Sequence, residues 1–266
     1  MIIELLQLQD IELLTELQPA DWDDIRPYHL SYISDPSCVP LKLMNEEKIA
    51  AIGTLIHHEE TAWLAHIIVH PASRNQGFGK CITQALVDRV DAKKYETISL
   101  IATDMGYPVY LKIGFTPEAV YNHFITKTPF SHFDISPRIV PFREAFTHHI
   151  FELDRLISGE NRQAKLIDHL PLSAVFLQNN KVEGVYFPSL ANGLIIAGNP
   201  VAGIELMKRR LQEKSYAILP AANEMAMAFL IQDQFIQERI SRRMVLGKKI
   251  SWRPTGIYNR VSGQIG

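Results

Sequence analysis

The chain has 266 residues, 47% hydrophobic and 21% charged, with a formal net charge of −2. That length is near the upper size of a single hydrophobic core, so two domains are expected, and the near-balanced charge gives no reason to expect nucleic acid or an anionic membrane as a partner. The two cysteines, Cys38 and Cys81, have no metal-like spacing, Met1-Ile2-Ile3-Glu4-Leu5-Leu6 has no basic stretch, and no uncharged run of ~18 residues could span a bilayer; a cytoplasmic location without a membrane is expected.

In chain order, residues 2–8 read as a strand. Asp10 is placed to cap a helix through Leu17, with Leu13, Leu14 and Leu17 at helical spacing. Pro19-Ala20-Asp21 starts a second helix carrying Trp22 and Ile25, then Tyr28 and Leu30. Residues 39–44, 49–57 and 61–69 form three strands, joined by Asn45-Glu46-Glu47 and His58-Glu59-Glu60. Hairpins this short must be antiparallel.

Next comes Arg74-Asn75-Gln76-Gly77-Phe78-Gly79-Lys80, followed by a helix with Ile82, Ala85, Leu86 and Val90 along one face. Gly77 and Gly79 permit a tight turn and a close approach of backbone to ligand. A helix opening there offers unpaired N–H groups and the positive end of its dipole, both suited to phosphate oxygens, and Arg74 adds a planar cationic fork. The loop is expected to cradle a diphosphate. A P-loop would need two glycines five apart followed by Lys and Ser/Thr, and a dinucleotide fingerprint would need a small residue where Ile82 stands. What the chain has is Arg-x-x-Gly-x-Gly, after Val69-His70-Pro71 at a strand end.

This arrangement resembles the signature of the GNAT superfamily, the acyl-CoA-dependent N-acetyltransferases. The resemblance implies acetyl-CoA as co-substrate and no metal. It implies that backbone N–H groups of Asn75, Gln76, Gly77, Phe78, Gly79 and Lys80, beside Arg74, hold the coenzyme A pyrophosphate. The backbone of Ile67, Ile68 and Val69 would hydrogen-bond the pantetheine arm as an added strand does. Asn75 stands where the family usually has glycine, and Asn tolerates left-handed backbone angles.

Residues 97–102 read as a strand, followed by Thr103-Asp104-Met105-Gly106, where Asp104 is placed to cap a short helix tolerating Pro108. Tyr110-Leu111-Lys112-Ile113-Gly114-Phe115 then resembles the second GNAT motif, with Gly114 ending the helix in a left-handed conformation. The resemblance implies that Tyr110 protonates the departing thiolate; phenol and thiol have comparable reference pKa values, ~10 and ~8.5. Thr103 stands where the family often has Asn and is carried over as a cofactor contact. As the base for an ammonium acceptor, His66 is a candidate because its strand should line the cleft and imidazole titrates in the useful range. Glu59, Glu60 or a water chain are the alternatives.

A strand over 119–126 completes the order β-α-α-β-β-β-α-β-α-β, the one the resemblance implies. Residues 1–128 are therefore expected as a catalytic domain, 129–137 as a linker with its prolines and serines, and 138–266 as a second domain. The pattern restarts there: a strand over 138–142, helices over 143–157 and 161–169, strands over 174–178, 182–187 and 193–197, a helix over 202–212, a strand over 216–219 and a helix from Asn223. At a constant offset Asn223 matches Thr103, Leu230 matches Tyr110 and Phe235 matches Phe115, the mark of a duplicated unit.

Leu230 replaces the tyrosine, and Gly198-Asn199-Pro200-Val201-Ala202-Gly203 replaces the cradle, with Pro200 lacking an N–H. The second half thus resembles the degenerate GNAT-like C-terminal domain of a group of bacterial two-domain acetyltransferases. The fold class expected is α/β (α+β): two tandem GNAT-like domains, each a mixed, mostly antiparallel twisted sheet flanked by helices.

Two further clusters carry distinctive chemistry. His57, His58, His66 and His70 lie in no metal-binding motif and read as strand and surface positions. Arg239, Arg242, Arg243, Lys248, Lys249, Arg253 and Arg260, with little acid among them, read as a solvated face rather than as a lid binding an acidic group. The function expected is transfer of acetyl from acetyl-CoA to a primary amine of a small molecule or peptide. The alternative is a non-catalytic acyl-CoA-binding sensor or interaction module, against which Tyr110 speaks. Neither the acceptor nor the oligomeric state is set by these motifs.

Overall fold

The computed structural model describes residues 1–20, 22–127 and 133–265. The helix start expected at Asp21 and positions 129–132 of the expected linker lie outside them. The chain forms two compact units. Unit 1 is Met1–Pro117 with Met244–Lys249 and Gly263–Ile265; unit 2 is Glu118–Arg243 with Ile250–Ser262. The division thus falls ahead of the proline- and serine-rich stretch, and two late segments belong to the first unit.

Unit 1 runs β1 (Ile2–Leu5), a 3-10 helix (Leu8–Leu17), α1 (Arg26–Ser34), β2 (Cys38–Asn45), β3 (Lys48–His57), β4 (Ala62–Val69), α2 (Phe78–Val87), β5 (Thr97–Ala102) and α3 (Tyr107–Ile113). The first strand is shorter than expected because a helix begins after Gln7. Asp10 is not its N-cap: it reaches back from the first turn, accepting the Gln7 N–H at 2.8 Å. The same carboxylate pairs with the buried Lys42 ammonium at 2.7 Å. The strand order is β1-β2-β3-β4-β5, antiparallel except for the parallel pair β4–β5.

Alternation along these strands sends side chains to two cores. Leu41, Leu43, Leu64 and Leu100 meet Ile82 and Leu86 of α2 and Tyr110 of α3. On the other face Ile52 and Ile68 meet Leu14 and Leu17 of the 3-10 helix, and Trp63 and Ala65 meet Tyr32 of α1. Full burial of a leucine or isoleucine contributes about 1.5–3 kcal/mol, so these contacts set which face each helix covers. Gly53 lets α2 lie directly on β3, since a Cβ there would sit 2.8 Å from Leu86 Cδ1.

Unit 2 takes up β6 (Thr116–Ile125) from Glu118 onward. It continues with β7 (Ile139–Pro141), α4 (Thr147–Ser158), α5 (Gln163–Leu166), β8 (Ala174–Gln178), β9 (Lys181–Phe187), β10 (Leu194–Ala197) and α6 (Pro200–Leu211). Then come β11 (Tyr216–Pro220), α7 (Glu224–Gln232), β12 (Ile236–Gly247, to Arg243 in this unit) and β13 (Ile257–Asn259). One sheet has the order β13-β10-β9-β8-β7, and β11 pairs antiparallel with β6. Phe176, Tyr186, Leu206, Leu219, Leu230 and Phe235 share its largest core.

Candidate active site

The site grows from an irregularity in β4. Ile68 pairs with Ile52 and Ala65 with Thr54, so His66 and Ile67 together oppose Gly53 alone. This is a β-bulge, and His66 carries the left-handed angle it needs, φ +46°. The extra residue puts Ala65 and His66 on the α1 side in succession, while Ile67 turns toward α2. On the other edge β4 pairs with β5 only over Ala62–Leu64 against Ile98–Leu100. Beyond Leu64 the two strands part, and the edge of β4 along Ile67, Ile68 and Val69 has no β5 partner.

The loop after β4 leads into the parting. Asn75 and Gly77 both adopt left-handed angles, φ +62° and +87°. Gly77 is the N-cap of α2, and among the described residues no side chain caps that helix. The first helical bond runs from Cys81 N–H to the Gly77 carbonyl at 3.0 Å, which leaves the N–H groups of Phe78, Gly79 and Lys80 without an acceptor inside the helix. Arg74, Asn75, Gln76, Gly77 and Lys80 are exposed, and buried Phe78 ties the loop to the core under α2. Gln76 Nε2 donates to the Ala72 carbonyl at 3.2 Å, so its side chain serves the loop.

Tyr110 projects from α3 into the same core. Its ring meets Phe115 edge-on at 6.1 Å between centroids, and burial pushes its hydroxyl pKa up, so the phenol keeps its proton. Gly114 ends the helix at φ +108°, and the Phe115 N–H returns to the Tyr110 carbonyl at 3.1 Å. The N-cap is Gly106 rather than Asp104, and the Gly106 N–H donates to the Thr103 hydroxyl at 3.3 Å. Thr103 is exposed at the end of β5.

Gly106 is a site residue that the motifs do not reveal. A Cβ there would lie 2.8 Å from Tyr110 Cε2 and 3.2 Å from its hydroxyl oxygen. The available signal was its spacing of one helical turn before Tyr110.

The structure argues against His66 as the base. It is buried, and burial with the neighbouring His29 holds its pKa down to about 3. Both ring nitrogens are engaged, Nδ1 with the Tyr32 hydroxyl at 2.9 Å and Nε2 with the Gln264 amide nitrogen at 3.1 Å. Because that amide is a donor, Nε2 accepts and the ring proton sits on Nδ1. The ring is thus neutral and has no free lone pair.

The other three histidines look elsewhere. His57 stacks on Tyr95 at 4.9 Å, His58 lies against Trp63, and His70 Nδ1 accepts the Ala72 N–H at 3.1 Å. Among the described residues no group of three or more His, Cys, Asp or Glu is placed to hold a metal.

The basic C-terminal cluster also needs correcting. Arg243 and Arg260 are interior to unit 2, not on a solvated face. Arg243 Nε lies 2.6 Å from Glu118 Oε2, its Nη2 lies 3.5 Å from Glu160 Oε1, and its guanidinium stacks 4.5 Å over Trp252. The balancing acids come from distant sequence, so the run by itself appeared unneutralised.

Residues 32–128 match the family model for the acetyltransferase (GNAT) domain. The chain carries a GNAT acetyltransferase domain. No curated protein sequence matches it. Among solved structures, a candidate acetyltransferase from Pyrococcus horikoshii aligns over 100% of this chain and 95% of its own, at 20% identity and a TM-score of 0.81. A GCN5-related N-acetyltransferase from Sphaerobacter thermophilus aligns over 96% and 98%, at 13% identity and 0.61. A candidate acetyltransferase from Thermoplasma acidophilum aligns over 93% and 100%, at 8% identity and 0.60. At these identities the likeness is one of fold, and it extends past the GNAT domain over the whole tandem chain. Among the described residues no helix is long and apolar enough to cross a membrane.

Proposed function

We propose that the protein is an acetyl-CoA-dependent N-acetyltransferase whose chemistry is confined to unit 1. The observation that carries this reading is the parting of β4 from β5 beyond Leu64, beside a helix whose first amides no side chain caps. A chain normally satisfies such groups itself, and here a free strand edge lies beside an uncapped helix start. Coenzyme A offers matching chemistry: a diphosphate for the amides of 75–80 with Arg74, and a pantetheine arm with amide groups for the edge of Ile67, Ile68 and Val69. When bound, acetyl-CoA supplies an activated acyl group on a thiol leaving group.

In this reading an N–H of β4 near Val69 polarises the acyl oxygen, and Tyr110 donates its proton to the sulfur. The raised pKa of Tyr110 suits this role, since a desolvated thiolate beside it is a stronger base than thiolate in water. Holding amine and acyl group side by side removes much of the entropic barrier. With His66 neutral and fully bonded, deprotonation falls to water or to the acceptor's own equilibrium. The acceptor is a primary amine of a small molecule or peptide, met in the reducing cytoplasm that suits free Cys38 and Cys81.

Calorimetry of the full chain with coenzyme A, then thiol release from acetyl-CoA across a panel of amines, tests this. Micromolar binding with amine-dependent release is the expected result. Tight binding with no release from any amine would favour a sensor, and absence of binding would remove both readings.

A further inference from the structure

On the α1 side of the bulge several rings converge in unit 1. The ring centroids of Trp22, Tyr28, His29 and Tyr32 lie 5.9, 5.1, 5.3 and 5.6 Å from that of His66. His29 is wholly buried, yet among the described residues neither of its ring nitrogens has a hydrogen-bond partner. Buried polar atoms are nearly always satisfied, so an orphaned imidazole marks a place where a polar group is missing.

The side of His66 away from Tyr32 is covered by the chain itself. Gln264 donates its amide to His66 Nε2 at 3.1 Å, and Ile265 packs on the cluster of Tyr32, Ile56, Trp63 and Ala65. His66 lies 198 residues from Gln264 in sequence, and no local geometry brings them together.

The position of this contact bears on the proposed reaction. A carrier held by the cradle and by Ile67–Val69 directs its acyl end toward Ala65 and His66, where the strands begin to part. Phe78 of the cradle and Tyr110 lie in the core on the α2 and α3 side, whereas Gln264 and Ile265 meet β4 on the α1 side, the face left to an amine in this reading. Gly263–Ile265 stands there.

We infer that residues Gly263–Ile265 occupy the acceptor's place in unit 1, as a strap that must leave before an amine reaches the acyl group. This rests on the acetyltransferase reading above. The strap also shows what the pocket accepts: an N–H donor to His66 Nε2 joined to a branched apolar body lying on the cluster of Tyr32, Ile56, Trp63 and Ala65. A peptide-like acceptor with an apolar side chain has that chemistry.

The test compares the full chain with Gln264→Ala/Ile265→Ala and with a chain ending at Ser262, so that one misfolded variant does not decide it. Carbethoxylation of His66 by diethyl pyrocarbonate, followed by mass spectrometry, reads the cover without needing activity. It should be at least tenfold faster in both variants, and the peptide Ser-Gly-Gln-Ile-Gly should restore protection. Thiol release from acetyl-CoA with water as acceptor should rise at least fivefold in the variants. In that step water oxygen bonds to the acyl carbon, the C–S bond breaks, and acetate and thiol leave with water's protons.

The same peptide should suppress this release without changing coenzyme A affinity. Equal His66 labelling in all three proteins overturns the strap. Faster labelling with unchanged thiol release and intact coenzyme A binding overturns its place on the acceptor path. Absence of coenzyme A binding in every form instead removes the acetyltransferase reading, and the acceptor assignment with it.

Discussion

Helices α2 and α6 follow equivalent strands of a repeated order, and they begin in opposite ways. The first turn of α2 is left bare behind Gly77, with Arg74 and Lys80 exposed nearby. The first turn of α6 is closed by its own side chain: Asn199 Oδ1 accepts the Ala202 N–H at 3.0 Å, and Pro200 has no N–H to offer. Asn199 Nδ2 also donates to Glu183 Oε2 at 3.0 Å, which brings a carboxylate to the spot where a phosphate would sit.

The strand edges differ in the same sense. β4 parts from β5 and is left open, whereas β10 is paired with β13. Asn259 of β13 donates to the carbonyls of Asn192 and Gly193 at 3.0 and 2.7 Å and accepts the Ile218 N–H of β11 at 2.9 Å. Unit 2 therefore fills with its own residues the gap that unit 1 leaves open. In the proposed reading a cofactor site is a shortage of internal hydrogen bonds, and losing the site means supplying them.

The comparison can be broken most sharply at the proposed proton donor. Tyr110→Phe should lower kcat by about 100-fold or more with acetyl-CoA affinity unchanged, because general acid catalysis contributes about 10²–10⁴; steady-state kinetics with calorimetry separates the two, and an unchanged kcat rejects Tyr110. Leu230→Tyr at the matching site should give no activity. It should instead cost about 1–3 kcal/mol by overpacking a fully buried position, read by chemical denaturation.

Gly77→Asp comes next. It combines a left-handed position with a carboxylate in the cradle and should weaken coenzyme A binding about 100-fold by calorimetry. Gly198→Asp in unit 2 should leave that affinity alone, and a matching loss there would mean that unit 2 also binds.

Asn259→Ala should destabilise the protein by about 2–3 kcal/mol, since it removes hydrogen bonds to the Ile218 N–H and to the carbonyls of Asn192, Gly193 and Arg260, of which, among the described residues, only Asn192 keeps another donor, Arg210. Denaturant midpoints check this; a shift within error would show that β13 is held by other contacts.

Acid should weaken unit 1 through its buried imidazoles. His29 and His66 are held down to about 4 and 3 by burial, while the unfolded chain takes those protons near 6.5. Below pH 6.5 the unfolded state therefore binds more protons. The stability present above 6.5 falls as pH drops toward these folded values, by on the order of 1 kcal/mol per pH unit for each ring. His66→Asn keeps a residue tolerant of the left-handed angle and should flatten the fall of Tm between pH 7 and 4.5. An unaltered slope would contradict a neutral buried ring.

The smallest effect expected is from Asn199→Ala, about 1 kcal/mol for the lost cap, again by denaturation. Uncapping α6 should not create coenzyme A affinity, because Pro200 and Glu183 remain; measurable binding would show that the cap alone had closed the site.

Much of this was legible in the residues. The loop's backbone geometry was readable because glycine, asparagine and a helix start are local chemistry, and Asn75 and Gly77 take left-handed angles. The departures of Leu230 and Pro200 from the first half were readable for the same reason. The role of His66 was not legible, since a strand histidine looks titratable until Tyr32, His29 and Gln264 surround it. Arg243 looked solvated because Glu118 and Glu160 are far away in sequence.

By itself the amino-acid order determined most of the strands and helices, the repeat within the chain, and the helix start left without a side-chain cap, because each depends on neighbours within a few residues. Only the folded chain decided where the units divide, which gap stays open and which is filled by β13, and that Gly263–Ile265 returns to His66. Those outcomes depend on contacts between distant segments, whose closure is governed by burial and hydrogen bonding across the whole unit rather than by local preference.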